Sequence, residues 1–248
     1  MSKFSFLKLN KPLRVIIAVI VLLIVQEFAG KAGGAIADAF SYQKIDPDNA
    51  FAWQSVHHIV MLIIGVAVIA VLSRLLRDNF GFQLGDRKKG VRYFAIFTAA
   101  LTIISLAFHL RLYTSGQSLT YDFALNKRNV LGTLGFQLLL SGPAEEILFR
   151  ALPVTVLIHV IGKSVDIKWN ISLEVILASL LFAFAHIKLS LSPFAIDANV
   201  SQLFYAFAIG TVQGMVYQES RSIIYPVLMH SLSNVLMVGT GYLFAVLI

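Results

Sequence analysis

Apolar residues gather in seven long runs, at 15–29, 56–72, 91–110, 130–161, 171–187, 201–217 and 223–248, separated by short stretches carrying Ser, Thr, Gly and charge. A helix needs about 20 mostly apolar residues to cross roughly 30 Å of hydrocarbon, so the pattern predicts an all-α, polytopic membrane protein with seven to eight transmembrane helices. The run 130–161 is oversized. Its 32 residues make about 48 Å of helix, and Gly142-Pro143 and Pro153 are where a break is expected. The core of the first run, 15–25, follows Lys3, Lys8, Lys11 and Arg14 and precedes a small-residue stretch, 29–39, as a signal peptide would; in so polytopic a chain a retained span is the expectation. No linker is long enough to separate folded units. A three-span region, 1–129, and a helical core, 130–248, are therefore expected to form one continuous membrane domain.

Composition fits the same class, with 58% hydrophobic and only 13% charged residues. The net charge of +7 lies in short basic stretches between apolar runs, a pattern that sets topology, so the lipid bilayer and not nucleic acid is the expected partner. Four basic residues fall in 1–14 and six in 74–92, against two in 30–54. A multi-pass protein of the cell membrane with a cytoplasmic N-terminus follows. The absence of cysteine removes disulfides, thiolate zinc sites and thiol nucleophiles, leaving chemistry to His, carboxylates, hydroxyls and amides.

Charge inside a span is costly unless paired, which makes Glu145, Glu146 and Arg150 the strongest anomaly in the chain. Glu146 and Arg150 stand i, i+4 and share a helix face, whereas Glu145 points about 100° away and stays available. His186 follows Phe182 by one turn, and His230 and Asn234 lie one turn apart in the last run. A helical hairpin turning near residue 166 brings Glu145 level with about residue 188, close to His186. Turns near 194 and 220 bring His186 level with about residue 238, within one to two turns of His230 and Asn234. Structural clamps have no reason to share a depth; a site does.

A carboxylate and a histidine can activate water, and a second histidine with an amide can stabilise an oxyanion, which is the equipment of amide hydrolysis. Glu145, His186 and His230 are equally a zinc-type ligand set, so zinc and no cofactor both stay open, although H-E-x-x-H is absent. Serine chemistry lacks a G-x-S-x-G. A catalytically silent membrane binding or regulatory module using the same polar cluster is the alternative reading. Transport, which favours paired interrupted spans in two halves, finds only one such interruption.

The stretch Gly142-Pro143-Ala144-Glu145-Glu146-Ile147-Leu148-Phe149-Arg150 resembles the EExxxR motif of the CPBP family, the CAAX-protease and bacteriocin-processing intramembrane proteases related to the Ras-converting CAAX endopeptidase. Phe182 to His186 resembles its FxxxH and His230 to Asn234 its HxxxN, with Ser222 to Pro226 like the usual approach to the third motif. The likeness covers roughly 130–240, with Ala151 where members often carry Gly. It implies an intramembrane endopeptidase, glutamate-dependent or a metalloprotease, with Glu145, Glu146, His186, His230 and Asn234 catalytic and Arg150 and Phe182 supporting. Glu145 with His186 would activate water, and His230 with Asn234 would hold the oxyanion. The implied partners are peptide or membrane-protein substrates, in CAAX-like, pheromone or bacteriocin processing or self-immunity.

Other polar residues carry no assigned chemistry. His57, His58, His109 and His159 lie near run ends and lack a motif partner, and Glu27 and Glu174 lie close enough to span ends to reach interfacial water. Gly210 and Gly214 form a GxxxG expected to let the sixth helix pack closely on a neighbour.

Overall fold

The computed structural model describes residues 9–117, 119–191 and 194–247. Among them lie seven helices: α1 (Lys11–Asp38), α2 (Ala52–Leu76), α3 (Arg87–Thr114), α4 (residues 127–161), α5 (Leu173–Phe184), α6 (Val200–Ser220) and α7 (Ile224–Leu247). Two small antiparallel hairpins complete the fold, β1 (Asp166–Lys168) with β2 (Ile171–Ser172), and β3 (Lys188–Leu191) with β4 (Phe194–Asp197). The protein is thus the all-α membrane type that the apolar runs predict, and α1, α2, α3 and α7 are each long and apolar enough to cross a membrane. The run 171–187 is shorter than expected as a helix. Only the 12 residues of α5 are helical, about 18 Å, so α5 does not cross by itself.

Helix starts follow side-chain chemistry. Asn10, Asp86, Asn126, Ser172 and Asn199 each accept a backbone N–H three residues ahead, opening α1, α3, α4, α5 and α6. The start of α2 is satisfied from a distance: the Asp46 carboxylate accepts the N–H groups of Ala50, Phe51 and Ala52 at 2.7–2.9 Å. α3 and α6 are joined at their ends, where Asp86 N donates to Ser220 O at 2.7 Å.

The expected break in α4 is not a break. The chain stays helical through Gly142-Pro143 and Pro153, and two π-helical turns, Gln137–Ser141 and Ile147–Ala151, accommodate them. Each proline sits in the first turn after a π segment, where the regular ladder is already interrupted and a missing N–H costs least. The turns also bracket Glu145 and Glu146, changing the phase at which those carboxylates leave the helix.

Contacts fix helix direction. Gly33 of α1 abuts His57 of α2, Gly65 of α2 abuts Leu148 of α4, and Gly142 of α4 abuts Ser231 of α7. Thr133 bonds Tyr242 at 2.8 Å farther along the same pair, so α4 and α7 are antiparallel. α3 runs parallel to α7, with Gly90 against Tyr225 at one end and Gly241 beside His109 at the other. The α2–α3, α4–α5 and α6–α7 connections therefore share one face, and the α1–α2 and α3–α4 connections share the other. Ile16, Ile24, Ile63, Ile103 and Leu243 project outward, an apolar perimeter suited to lipid. Inside, Leu148, Leu152, Val154, Leu157 and Val175 form a core closed to solvent. The GxxxG acts as expected, because a Cβ at Gly214 would stand 2.8 Å from Val175 Cγ1 of α5.

Close approach of α4 and α7 depends on one hydrogen. A Cβ on Gly142 would lie 3.0 Å from both Ser231 N and Val227 O. Gly142→Val is expected to lower stability by about 1–3 kcal/mol in thermal unfolding in detergent. Gly135→Ala, where a Cβ meets nothing within 4 Å, should raise it by about 0.5–1 kcal/mol.

Candidate active site

Glu145 and Glu146 grip one imidazole from two sides. Glu146 Oε1 accepts from His230 Nδ1 at 2.7 Å, and Glu145 Oε2 stands 3.7 Å from Nε2 of the same ring. Glu146 also pairs with Arg150, Oε2 to Nε, at 3.4 Å. The i, i+4 pairing read from the sequence is therefore present, with a second partner that spacing did not indicate. Glu145 is not idle either. Its Oε1 accepts from Ser141 Oγ at 3.2 Å and faces His58 Nε2, also at 3.2 Å.

Arg150 joins the segment of Glu145 and Glu146 to that of Phe182 and His186, and to α6. Its guanidinium lies 3.9 Å from the Phe182 ring centroid, and Nη2 donates to Gln213 Oε1 of α6 at 3.0 Å. Phe182 in turn meets the His186 ring edge-on, with centroids 4.8 Å apart and planes at 88°. Gly210 leaves room for this arrangement, since a Cβ there would stand 3.1 Å from Arg150 Nη2 and 3.4 Å from Phe182. The aromatic residue of the FxxxH segment thus sits between the guanidinium and the imidazole and sets the latter's position.

Carbonyl partners define the ring tautomers, because a carbonyl only accepts. His186 Nδ1 bonds Phe182 O at 2.9 Å and so carries the proton, leaving its Nε2 lone pair for other partners. His58 Nδ1 bonds Gln54 O at 2.9 Å, and His57 Nε2 bonds Gly30 O at 3.1 Å. His58 Nε2 without a proton would set a lone pair against the Glu145 carboxylate. One proton therefore lies between the two, on the carboxyl oxygen or on the imidazole. Asn234 Nδ2 donates to Gln137 Oε1 at 2.9 Å and to Ser141 Oγ at 3.0 Å, so both amide hydrogens are engaged within the site.

Two hollows meet here. One, about 600 Å³, is bordered by Glu145, His186, His230 and Asn234 and runs on to Tyr121 and Tyr242. The other, about 330 Å³, lies between α1, α2 and α5, bordered by Leu23, Gln26 and Leu181. Glu145, His58, Phe182 and His186 belong to both. Glu146 and Arg150 border neither and are almost wholly buried, at 0% and 1% exposure. They stand behind the reacting groups. Among the described residues, no three His, Asp or Glu side chains are arranged to hold a metal ion, so Glu145, His186 and His230 do not fit the zinc-ligand alternative as placed.

His58, which lacks a motif partner in the sequence, reaches Glu145 across 87 positions of the chain. Ser141 and Gln137 also escaped notice, although both lie on the same face of α4 as Glu145. Glu174 differs from expectation in the other direction. It is fully buried, accepting from Ser164 Oγ and from Gln218 Nε2 at 2.7 Å, and does not reach interfacial water. His109 and His159 lie away from the site, bonded to the carbonyls of Ser105 and Thr155.

Glu146→Gln leaves the Arg150 charge buried without its counter-charge and is expected to cost about 3–5 kcal/mol in unfolding measurements in detergent. Adding Arg150→Met should restore part of that loss, since the unpaired guanidinium goes, while the Glu146 bond to His230 and the Arg150 bond to Gln213 stay lost.

Residues 127–236 match the family model described as type II CAAX prenyl endopeptidase Rce1-like. No curated protein and no solved structure matches the chain. The matched stretch contains Glu145, Glu146, Arg150, Phe182, His186, His230 and Asn234 and runs from the start of α4 into α7. The match, over 110 of the 248 residues, supports a CPBP/CAAX-family intramembrane protease.

Proposed function

We propose that Glu145 is the group that activates water for peptide-bond hydrolysis within the membrane. The observation that carries this reading is that Glu145, alone of the two adjacent carboxylates, borders both hollows. His186 borders the same space, its ring held through Nδ1 by Phe182 O. Glu145 takes the water proton as hydroxide adds to the scissile carbonyl, and later returns it to the departing amine. His230, protonated on both nitrogens with Glu146 as its counter-charge, donates from Nε2 to the oxyanion. Asn234 and Gln137 hold Ser141 against Glu145; an Asn234 N–H released from that network would give the oxyanion a second donor. His58 is a positioning residue that shares a proton with Glu145 and orients it.

The hollow between α1, α2 and α5 is lined in part by Leu23, Met61 and Leu181, apolar groups that suit a substrate anchored in the bilayer. CAAX-like termini, peptide pheromones and bacteriocin precursors, including those in self-immunity, are candidates of that kind. The basic residues at 1–14 and 74–92 favour a cytoplasmic N-terminus in the cell membrane.

Comparative peptidomics of membranes carrying the wild type or Glu145→Gln tests the enzyme reading. A substrate-derived fragment should fall at least about 100-fold in the variant, with the fold retained. Equal fragments from both would favour the silent binding module. His58→Gln should lower kcat roughly tenfold with little change in KM, as expected for a residue that acts through Glu145. A loss confined to thermal stability would assign His58 a structural role alone.

A further inference from the structure

We infer that the cavity at Glu145 opens on the non-cytoplasmic side of the membrane, so that the peptide it cuts is presented from that side. The inference rests on the endopeptidase reading for its substrate, a membrane-anchored or exported polypeptide, and on the fold alone for its direction.

The direction follows from which residues border the hollow. From Glu145 it follows α4 backward through Gln137 to Thr133, about 18 Å of helix, and α7 forward through Asn234 to Tyr242. It reaches Ala50 before α2 and Tyr121 and Phe123 between α3 and α4. All of these lie toward the face that holds the α1–α2 and α3–α4 connections. Toward the other face the site is sealed: Leu148, Leu152 and Met229 are at most 1% exposed. The hollows on that other face, around Asp78–Gln83 and Tyr217–Arg221, share no residue with the one at Glu145.

Charge distinguishes the two faces. Among the described residues, the sealed face takes Lys11, Arg14 and the basic residues of 74–92 together with Lys163, Lys168 and Arg221, 11 of the 20 Lys and Arg. Apart from Arg150 within the site, the open face has Lys31, Lys44, Arg111, Lys127, Arg128 and Lys188. Short basic connections stay in the cytoplasm. The sealed face is therefore cytoplasmic and the mouth points outward.

The chain has no cysteine, so single-cysteine variants report each position without background. Asp122→Cys marks the α3–α4 connection, Gln83→Cys the basic face, and Met237→Cys and the more exposed Gln54→Cys the cavity. In right-side-out membrane vesicles treated with a membrane-impermeant maleimide, Asp122→Cys and at least one cavity variant should label fully before permeabilisation. Gln83→Cys should label only after detergent. Labelling of Gln83→Cys first would invert the chain and overturn the inference. So would cavity variants that label only after permeabilisation, or in neither condition, while Asp122→Cys labels before it. Labelling needs no catalysis: the expected pattern together with an unchanged peptide pool in Glu145→Gln would remove the protease reading and keep the direction, and the converse result would remove the direction alone.

Discussion

The buried Glu146 carboxylate is the constraint on which the site is built. An ionised group inside an apolar helical bundle must find partners, and Glu146 has two, Arg150 at 3.4 Å and the His230 ring at 2.7 Å. Each partner brings another helix with it. His230 fixes α7, and Arg150 fixes α5 through the Phe182 face and α6 through Gln213. One carboxylate on α4 therefore determines where three other helices stand around it. The histidine at the end of α5 is positioned at one remove, because Phe182 holds its edge.

That arrangement separates two roles that adjacent, identical residues would otherwise share. On an ideal helix Glu145 and Glu146 diverge by about 100°. Here π turns on both sides alter the local phase, and the two side chains reach different nitrogens of one ring. Glu146 faces the closed interior and Glu145 the hollow. The prolines are compatible with this because a π turn already leaves the backbone ladder irregular. A sequence that reads as a broken helix is thus a continuous one with two widened turns at the position where its carboxylates must be aimed.

Much of the fold was legible because lipid imposes a simple rule: long apolar runs become helices, and charges cluster only where they have partners. The helix order, the depth shared by Glu145, His186 and His230, and the Glu146–Arg150 pairing all follow from that rule and from 3.6-residue periodicity. What escaped has the same physical origin. His58 meets Glu145 across 87 residues, and no local spacing encodes a contact made by helix packing alone. α5 is apolar enough to read as a span, but its apolar faces, including Val175, Ala178 and Leu181, pack against protein, so hydropathy could not tell a short core helix from a crossing one. Glu174 likewise sits at a run's end, yet Ser164 and Gln218 replace the water it was expected to find.

The proton shared by Glu145 and His58 is where structure and chemistry join. Gln54 O and Gly30 O fix the hydrogens on His58 Nδ1 and His57 Nε2, so the chain of rings running from α1 to Glu145 has one free choice, the proton between His58 Nε2 and the carboxyl oxygen. With that proton on the imidazole, Glu145 is an ionised acceptor bracketed by Ser141 and two rings, the form a general base requires. With it on the carboxyl group, Glu145 is an acid, the form needed to protonate a leaving amine. In the proposed cycle the water proton is what makes Glu145 that acid, so His58, 3.2 Å away on α2 and outside the matched segment, would serve to hold the carboxylate in its ionised, aimed form between turnovers.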